Sequence, residues 1–220
     1  MENSTSAKKL RNRYENFFAP IGRILSKTGL TPNMISIFSV IMSIFSCIAY
    51  SLGPEIGSSI ALILGTVFLG FSSLFDMLDG SLARALGTSG YYGALLDRTL
   101  DRVSEFFFLL GIMIGGYVYP EWVFICFEGM ILASYVRSTA ENRGGLKMDS
   151  TTGIFERKEK LTLLAIGCLI EAIFIENVFQ EIWKLNFGFL ALVVLLIGLI
   201  SNISAIQRLR FAKEFYNKSQ

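Results

Sequence analysis

The chain has 220 residues, of which 52% are hydrophobic and only 17% charged, with a mean hydropathy of +0.52 and a formal net charge of +2. This composition excludes a soluble globule and is typical of a polytopic membrane protein forming a single domain over 1–220. Histidine is absent, so a general base must be a carboxylate or another group. The three cysteines stand singly in apolar segments, which predicts buried core residues. We expect no nucleic-acid partner.

The segment 7–27 predicts an amphipathic helix at the membrane surface. Its apolar side chains recur at helical spacing, opposite a basic face. A basic amphipathic helix lies in the headgroup plane and is attracted to anionic lipids. The helix that follows is predicted to start with Thr31 as its N-cap and Pro32 in its first turn.

Six apolar segments follow, each long enough to cross a membrane as a helix. The predicted spans are 33–52, 57–86, 92–118, 121–141, 157–176 and 183–206. All lysines and arginines except Lys184 fall outside the spans or at span ends on one side of the membrane, which the positive-inside rule assigns to the cytoplasm. The sequence therefore predicts an all-α integral membrane protein of the cell membrane, with six transmembrane helices preceded by an N-terminal amphipathic interfacial helix. Both termini are predicted to be cytoplasmic.

Four aspartates lie at the predicted cytoplasmic ends of spans 2 and 3. Asp76 and Asp79 are three residues apart, and Asp97 and Asp101 are four apart, so each pair projects from one helix face. An unpaired charge in a bilayer costs at least about 2.5–3.5 kcal/mol, so converging carboxylates require neutralising cations. All-oxygen ligands favour Mg²⁺ or Mn²⁺. Four carboxylates can hold two such ions roughly 4 Å apart, as in phosphoryl transfer.

The same stretch, 76–101, has the pattern Asp-x2-Asp-Gly-x2-Ala-Arg-x8-Gly-x3-Asp-x3-Asp. It resembles, at every fixed position, the signature of the CDP-alcohol phosphotransferase family. The glycines allow close helix approach and leave room for a ligand. If these charges were ordinary solvated helix ends, nothing would require Gly and Ala at those offsets.

The resemblance implies functional roles for the motif and usually a homodimer with its active site at the cytoplasmic interface. Asp76, Asp79 and Asp97 are implied to hold two divalent ions, with Asp101 as a further ligand and the general base. The residues implied to bind the CDP-lipid are Asn33, Asp79, Gly80, Ala83, Arg84 and Gly93.

A second group of charges flanks the connection between spans 4 and 5. Arg137 and Glu141 are i,i+4 partners, and Arg157 and Lys160 open span 5. Arginine forks match phosphate oxygens, so we expect Arg137, Arg157 and Lys160 to bind an acceptor phosphate. The runs SYVRSTAE and ERKEK resemble those of family members that make phosphatidylinositol phosphate or archaetidylinositol phosphate. Thr139 and Lys160 each replace an arginine of those runs.

The resemblance implies Mg²⁺-dependent transfer of a phosphatidyl or archaetidyl group from a CDP-lipid to myo-inositol 1-phosphate, releasing CMP. Glycerol 3-phosphate or another polar alcohol is the alternative acceptor. A divalent-cation carrier is a further alternative, but its carboxylates would be expected near mid-bilayer between broken helices. A non-catalytic scaffold would be expected to have lost an aspartate of the motif, and all four are present.

Overall fold

The computed structural model describes residues 18–88, 90–144, 146, 153, 155–174 and 188–219, and this part of the chain contains helices and no strand. The helices are α1 (Pro32–Ser51), α2 (Gly53–Ile56), α3 (Ser58–Leu86), α4 (Tyr91–Ile114), α5 (Pro120–Gly144), α6 (Arg157–Phe174) and α7 (Phe189–Ser219). A further helical stretch, 18–25, precedes α1. Most of the predicted amphipathic helix over 7–27 lies outside the described residues. All three cysteines are buried, as predicted.

Within the described residues, four helices are long and apolar enough to cross a membrane, namely α1, α3, α5 and α7. This finding supports an integral membrane protein. The helices α4 and α6 are less apolar because charged residues occupy the N-terminal half of α4 and the first turn of α6. In α4 these include Asp97 and Asp101, and α6 opens with Arg157, Lys158, Glu159 and Lys160. Asp97, Asp101, Arg157 and Lys160 thus lie on the two helices with the lower hydropathy, whereas Asp76 and Asp79 lie on the apolar helix α3.

The start of α1 is fixed by the predicted cap. The backbone N–H of Met34 donates to Thr31 Oγ1 over 3.3 Å, and Pro32 is the first helical residue. A proline is favourable there because the first helical N–H groups have no partner within the helix. The sequence prediction of this boundary is confirmed.

Other helix ends differ from the predicted spans. The helix α4 ends at Ile114, whereas the third span was predicted to continue to 118. Gly116 adopts a left-handed φ of 76°, and its N–H donates to the Met113 carbonyl, which closes the helix. The helix α7 continues to Ser219, past the predicted span end at 206, because no helix-breaking residue interrupts its polar last turns. The predicted boundaries at 176 and 183 lie outside the described residues.

Contacts along the chain define two compact units. The first comprises Met1–Cys47 and Val67–Phe108, and the second comprises Ile48–Thr66 and Leu109–Gln220. The helices α1, α3 and α4 are each divided between the two units.

In the first unit, α1 and α3 pack antiparallel along a seam of hydroxyl and aromatic contacts. Ser39 and Ser72 share a hydrogen bond with 3.2 Å between their Oγ atoms, and both side chains are buried. The rings of Phe38 and Phe75 lie 6.2 Å apart. Small residues and interhelical hydrogen bonds drive such packing because a bilayer supplies no hydrophobic force between helices.

The helical stretch 18–25 packs on α3 at Ser81 in the first unit. The Ser81 hydroxyl donates to the Phe18 carbonyl over 2.8 Å. Gly22 lies so close that an added Cβ would be 2.5 Å from Ser81 Oγ and 2.8 Å from its carbonyl oxygen. This stretch therefore contacts α3 directly beside the motif residue Gly80.

In the second unit, α5 packs along α7 through glycines on both helices. A Cβ added at Gly198 would lie 3.0 Å from the Cys126 Cα, and one at Gly129 would lie 3.0 Å from the Gly198 carbonyl oxygen. The contact continues beyond the apolar segment, where the Tyr216 hydroxyl donates to the Ala140 carbonyl over 3.4 Å. The C-terminal turns of α7 are thus held against α5.

Candidate active site

Three of the four predicted aspartate ligands converge in the first unit. One carboxylate oxygen from each of Asp76, Asp97 and Asp101 lies within 4.8 Å of the other two. Asp76 is on α3, and the other two are on successive turns of α4. All three side chains are half-buried, so the group is shielded but accessible. The two helix faces predicted from the spacing therefore do meet.

The donor set of this cluster fits a divalent cation. Carboxylates at this spacing repel one another, and partial burial strengthens the repulsion because the effective dielectric constant falls. A cation with a preference for oxygen ligands removes it, and Mg²⁺ and Mn²⁺ have that preference.

Asp79 has different surroundings from the other three aspartates. Its side chain is buried, and its Oδ2 accepts a hydrogen bond from the Ser36 hydroxyl of α1 over 2.5 Å. It lies outside the group of three, but it is close enough to interact electrostatically with Asp76 and Asp97. The structure therefore separates one aspartate, held by α1, from three that converge.

Sequence reasoning missed Ser36, although a signal was present. Four serines of α1 recur at helical spacing on one face, and all four are buried: Ser36, Ser39, Ser43 and Ser46. A stripe of small polar residues in an apolar helix is typical of a helix–helix contact in membranes.

The motif glycines leave open space. Among the described residues, a Cβ added at Gly93 would meet no atom within 4 Å, and one at Gly80 would meet only Arg84 Nη1, at 3.6 Å. Of the two uses predicted for these glycines, close helix approach is therefore not found at either position within the part of the chain that the structure describes. Room for a ligand remains. Their conformational freedom is not needed either, because both lie within helices.

The other residues predicted to bind the CDP-lipid also belong to the first unit. Ala83 and Arg84 lie in the last turns of α3, the first half-buried and the second exposed. Asn33 is exposed in the first turn of α1.

The residues predicted to bind the acceptor phosphate belong to the second unit. Arg137 Nε donates to Glu141 Oε1 over 3.0 Å, which confirms the predicted i,i+4 pair. Arg157, the first residue of α6, is half-buried, and Lys160 is buried with 6% of its surface exposed. Lysine is rarely buried to this extent unless it has a partner, which makes Lys160 unusual among the basic residues.

Sequence reasoning treated Arg208 only as a cytoplasmic charge, but the structure gives it specific contacts. Its side chain is buried on α7, and Nη1 donates to the Ala133 carbonyl of α5 over 2.6 Å. A Cβ added at Gly153 would lie 2.9 Å from Nη2. Arg208 therefore joins α7 to α5 and to the connection that precedes α6.

Residues 29–203 match the family model of the CDP-alcohol phosphatidyltransferases. This match covers most of the chain and includes the aspartate cluster. The chain therefore belongs to the CDP-alcohol phosphatidyltransferase family and is an enzyme of that family.

Particular relatives share most of their length with this chain. The archaetidylinositol phosphate synthase of Pyrococcus horikoshii is 31% identical over 206 residues, covering 94% of this chain and 96% of the relative. The phosphatidylinositol phosphate synthase of Mycobacteroides abscessus is 31% identical over 170 residues, covering 72% of this chain and 71% of the relative.

The fold is similar to solved structures of the Mycobacterium tuberculosis phosphatidylinositol phosphate synthase. The structure of that protein with CDP-DAG bound gives a TM-score of 0.72 at 27% identity, covering 90% of this chain and 94% of the other. A second structure, in complex with manganese and citrate, gives the same TM-score and identity, covering 89% and 88% of the two chains.

Proposed function

We propose that this enzyme transfers a phosphatidyl or archaetidyl group from a CDP-lipid to the hydroxyl of myo-inositol 1-phosphate and releases CMP. The observation that carries the proposal is the convergence of the Asp76, Asp97 and Asp101 carboxylates within 4.8 Å. The relatives named above are synthases of archaetidylinositol phosphate and phosphatidylinositol phosphate, and one of them has been solved with CDP-DAG. These names support the donor and the acceptor.

Two divalent ions, Mg²⁺ or Mn²⁺, are proposed to bind the four aspartates Asp76, Asp79, Asp97 and Asp101. The manganese complex of the similar synthase supports this assignment. When bound, such ions neutralise charge on the pyrophosphate oxygens and stabilise the leaving CMP.

The chain's own residues then supply the proton acceptor and the nucleotide-binding surface. Asp101 is proposed to take the proton from the attacking hydroxyl at a carboxylate oxygen, since a general base must be available and histidine is absent. Gly80 and Gly93 leave space for the donor, beside a wall formed by Ala83 and Arg84. Asn33 is proposed to contact the nucleotide from the start of α1.

The acceptor is proposed to be phosphorylated because its binding residues are cationic. Arg137 is oriented by Glu141, so its remaining guanidinium N–H groups point in a defined direction. Arg157 and Lys160 supply further positive charge at the start of α6. A neutral polyol would not compensate this charge, whereas a phosphate group would.

The membrane arrangement is proposed from charge. The six long helices are proposed to be six transmembrane spans in one domain. The charged residues in the N-terminal halves of α4 and α6 are proposed to lie at the interface, which would allow both helices to cross. Both termini and the active site are proposed to be cytoplasmic, which the lysine and arginine bias supports, with 7–27 as an interfacial amphipathic helix. We also propose a homodimer.

The test is CMP release by the purified chain with a CDP-lipid and Mg²⁺, with four acceptors assayed in parallel. These are myo-inositol 1-phosphate, glycerol 3-phosphate, serine and free inositol, and Asp76→Asn is the matched inactive control. Turnover with inositol 1-phosphate alone is the expected result. Turnover with another acceptor would contradict the acceptor assignment and keep the metal site, and no turnover with any of them would contradict the proposed reaction.

A further inference from the structure

The short hydrogen bond between Ser36 and Asp79 joins a helix outside the aspartate motif to a residue inside it. The two residues are 43 positions apart, and both side chains are buried. Hydrogen bonds to ionised acceptors are shorter and about twice as strong as neutral ones, and the 2.5 Å separation matches a hydroxyl bound to a carboxylate.

The geometry decides where the hydroxyl proton goes. Ser36 Oγ lies 2.5 Å from Asp79 Oδ2 and 3.1 Å from the Pro32 carbonyl oxygen, one turn earlier on α1. A hydroxyl has one hydrogen, and the charged, closer oxygen is the better acceptor. The bond therefore holds Oδ2 against α1, and Oδ1 is the carboxylate oxygen that Ser36 does not engage.

We propose that Ser36 is the positioning residue for Asp79: its hydroxyl fixes the carboxylate rotamer in which Oδ1 completes the divalent-cation site begun by Asp76, Asp97 and Asp101. The inference rests on the proposed function of this cluster. Carboxylates that ligate metals are commonly oriented by a hydrogen bond from outside the ligand set. Asp79 is the one aspartate of the motif outside the converged group, so its contribution to the proposed two-ion site depends on how its carboxylate is held.

If Ser36 served only in helix packing, its substitution would have the same effect as substitution of another buried serine of α1. Ser39 lies one turn further along α1, is equally buried, and bonds to Ser72 of α3 without touching a carboxylate. If the serines only hold α1 against α3, then removing either hydroxyl affects the protein similarly. If Ser36 positions Asp79, only its removal affects cation binding.

The experiment measures Mn²⁺ affinity of the full chain in detergent micelles by electron paramagnetic resonance of free Mn²⁺. We expect Ser36→Ala to raise the Mn²⁺ Kd about 10–100-fold, the range found for such orienting partners. We expect Ser39→Ala to keep the wild-type Kd and Ser36→Thr, which retains a hydroxyl, to restore it. Melting temperatures measured in EDTA identify variants that fail to fold.

Four results separate the possible failures. A wild-type Kd in Ser36→Ala overturns the inference, and so does an equal loss in Ser39→Ala. The inference is also overturned if Ser36→Thr binds as weakly as Ser36→Ala while melting like the wild type. Asp76→Asn is expected to abolish Mn²⁺ binding. If it does not, the cation site itself is wrong, and the inference fails with it.

Discussion

Glu105 Oε2 lies 2.5 Å from Arg102 Nη1, three residues earlier on α4, and the Glu105 carboxylate is completely buried. The pair lies one turn beyond Asp101, so the polar face of α4 continues past the aspartates towards its apolar half. A buried ion pair adds little net stability, because desolvation of both charges offsets their attraction. Removing one partner is costly, because the other charge stays behind uncompensated.

Replacing Glu105 is therefore expected to destabilise the protein. Breaking a fully buried ion pair costs about 3–5 kcal/mol. Glu105→Ala should lower the free energy of unfolding by less than this, because the Arg102 side chain is 24% exposed and can reach water. Glu105→Gln, which keeps the volume and a hydrogen-bond acceptor, should cost less. The measurement is the melting temperature in micelles, with Glu55→Gln as a control at an exposed acid. An unchanged melting temperature in Glu105→Ala would show that the pair is not structural.

The open space at Gly93 makes it possible to separate folding from ligand binding. Gly93→Ala should melt at or above the wild-type temperature, because the added Cβ meets no atom of the residues that the structure describes, and alanine favours the helix by up to about 1 kcal/mol. The CDP-lipid Kd should nevertheless rise, because the methyl group occupies space proposed for the donor. Gly70→Ala is the matched control, since Gly70 also faces open space but lies outside the motif. Equal donor affinity in the two variants would contradict the role of Gly93.

Unlike Gly93→Ala, substitution of Gly22 is expected to lower the melting temperature. Gly22→Ala places a methyl group against Ser81, including its backbone carbonyl, which cannot move without displacing α3. Such overpacking typically costs about 1–3 kcal/mol. We expect a lower melting temperature and a greater susceptibility to proteolysis near 18–25, measured by limited trypsin digestion. If Gly22→Ala melts like the wild type, the stretch 18–25 does not contribute to stability through this contact.

Asp101→Asn tests the general base. The amide keeps an oxygen that can ligate a cation but cannot accept the hydroxyl proton, so kcat should fall about 10²–10⁴-fold. CDP-lipid should still bind, as measured by equilibrium binding of a labelled donor. Turnover at the wild-type rate would exclude Asp101 as the base.

The proposed acceptor-binding residues are tested by comparing the acceptor KM with the Kd for CDP-lipid in each variant. Arg137→Ala and Lys160→Ala each remove a charged hydrogen-bond donor, which should raise the acceptor KM about 10–100-fold, equivalent to about 1.5–3 kcal/mol. The Kd for CDP-lipid should stay near its wild-type value. Lys158→Ala, at an exposed neighbour in α6, is the control. An equal loss of both affinities would indicate a structural role instead.

Much of the architecture follows from local sequence signals. The start of α1 was predictable because Thr31 and Pro32 act on their own backbone neighbours. The Arg137–Glu141 pair was predictable because both residues lie on one helix. The convergence of Asp76 with Asp97 and Asp101 followed from spacing and from the cost of unpaired charge.

Local sequence patterns do not predict contacts between distant segments. The Ser36–Asp79 bond depends on the register of α1 against α3, and Arg208 depends on how α7 packs on α5, neither of which local periodicity specifies. The motif glycines illustrate the same limit. Spacing indicated that Gly80 and Gly93 need little volume, but only the packed helices distinguish an empty space from a close contact.

The antiparallel seam of α1 and α3 also bears on how this protein assembles during membrane insertion. The bonds Ser36–Asp79 and Ser39–Ser72 form in a single alignment of the two helices. A slip of one helical turn, about 5.4 Å, would break both bonds. If the slip carried Asp79 towards the first turn of α1, which has no serine before Ser36, the carboxylate would lose its donor in a poorly hydrated environment. Newly inserted hairpins with the wrong offset are thereby disfavoured before α4 contributes Asp97 and Asp101. We therefore expect the alignment of the aspartate cluster to be set by hydroxyl groups on a helix that carries no acidic residue.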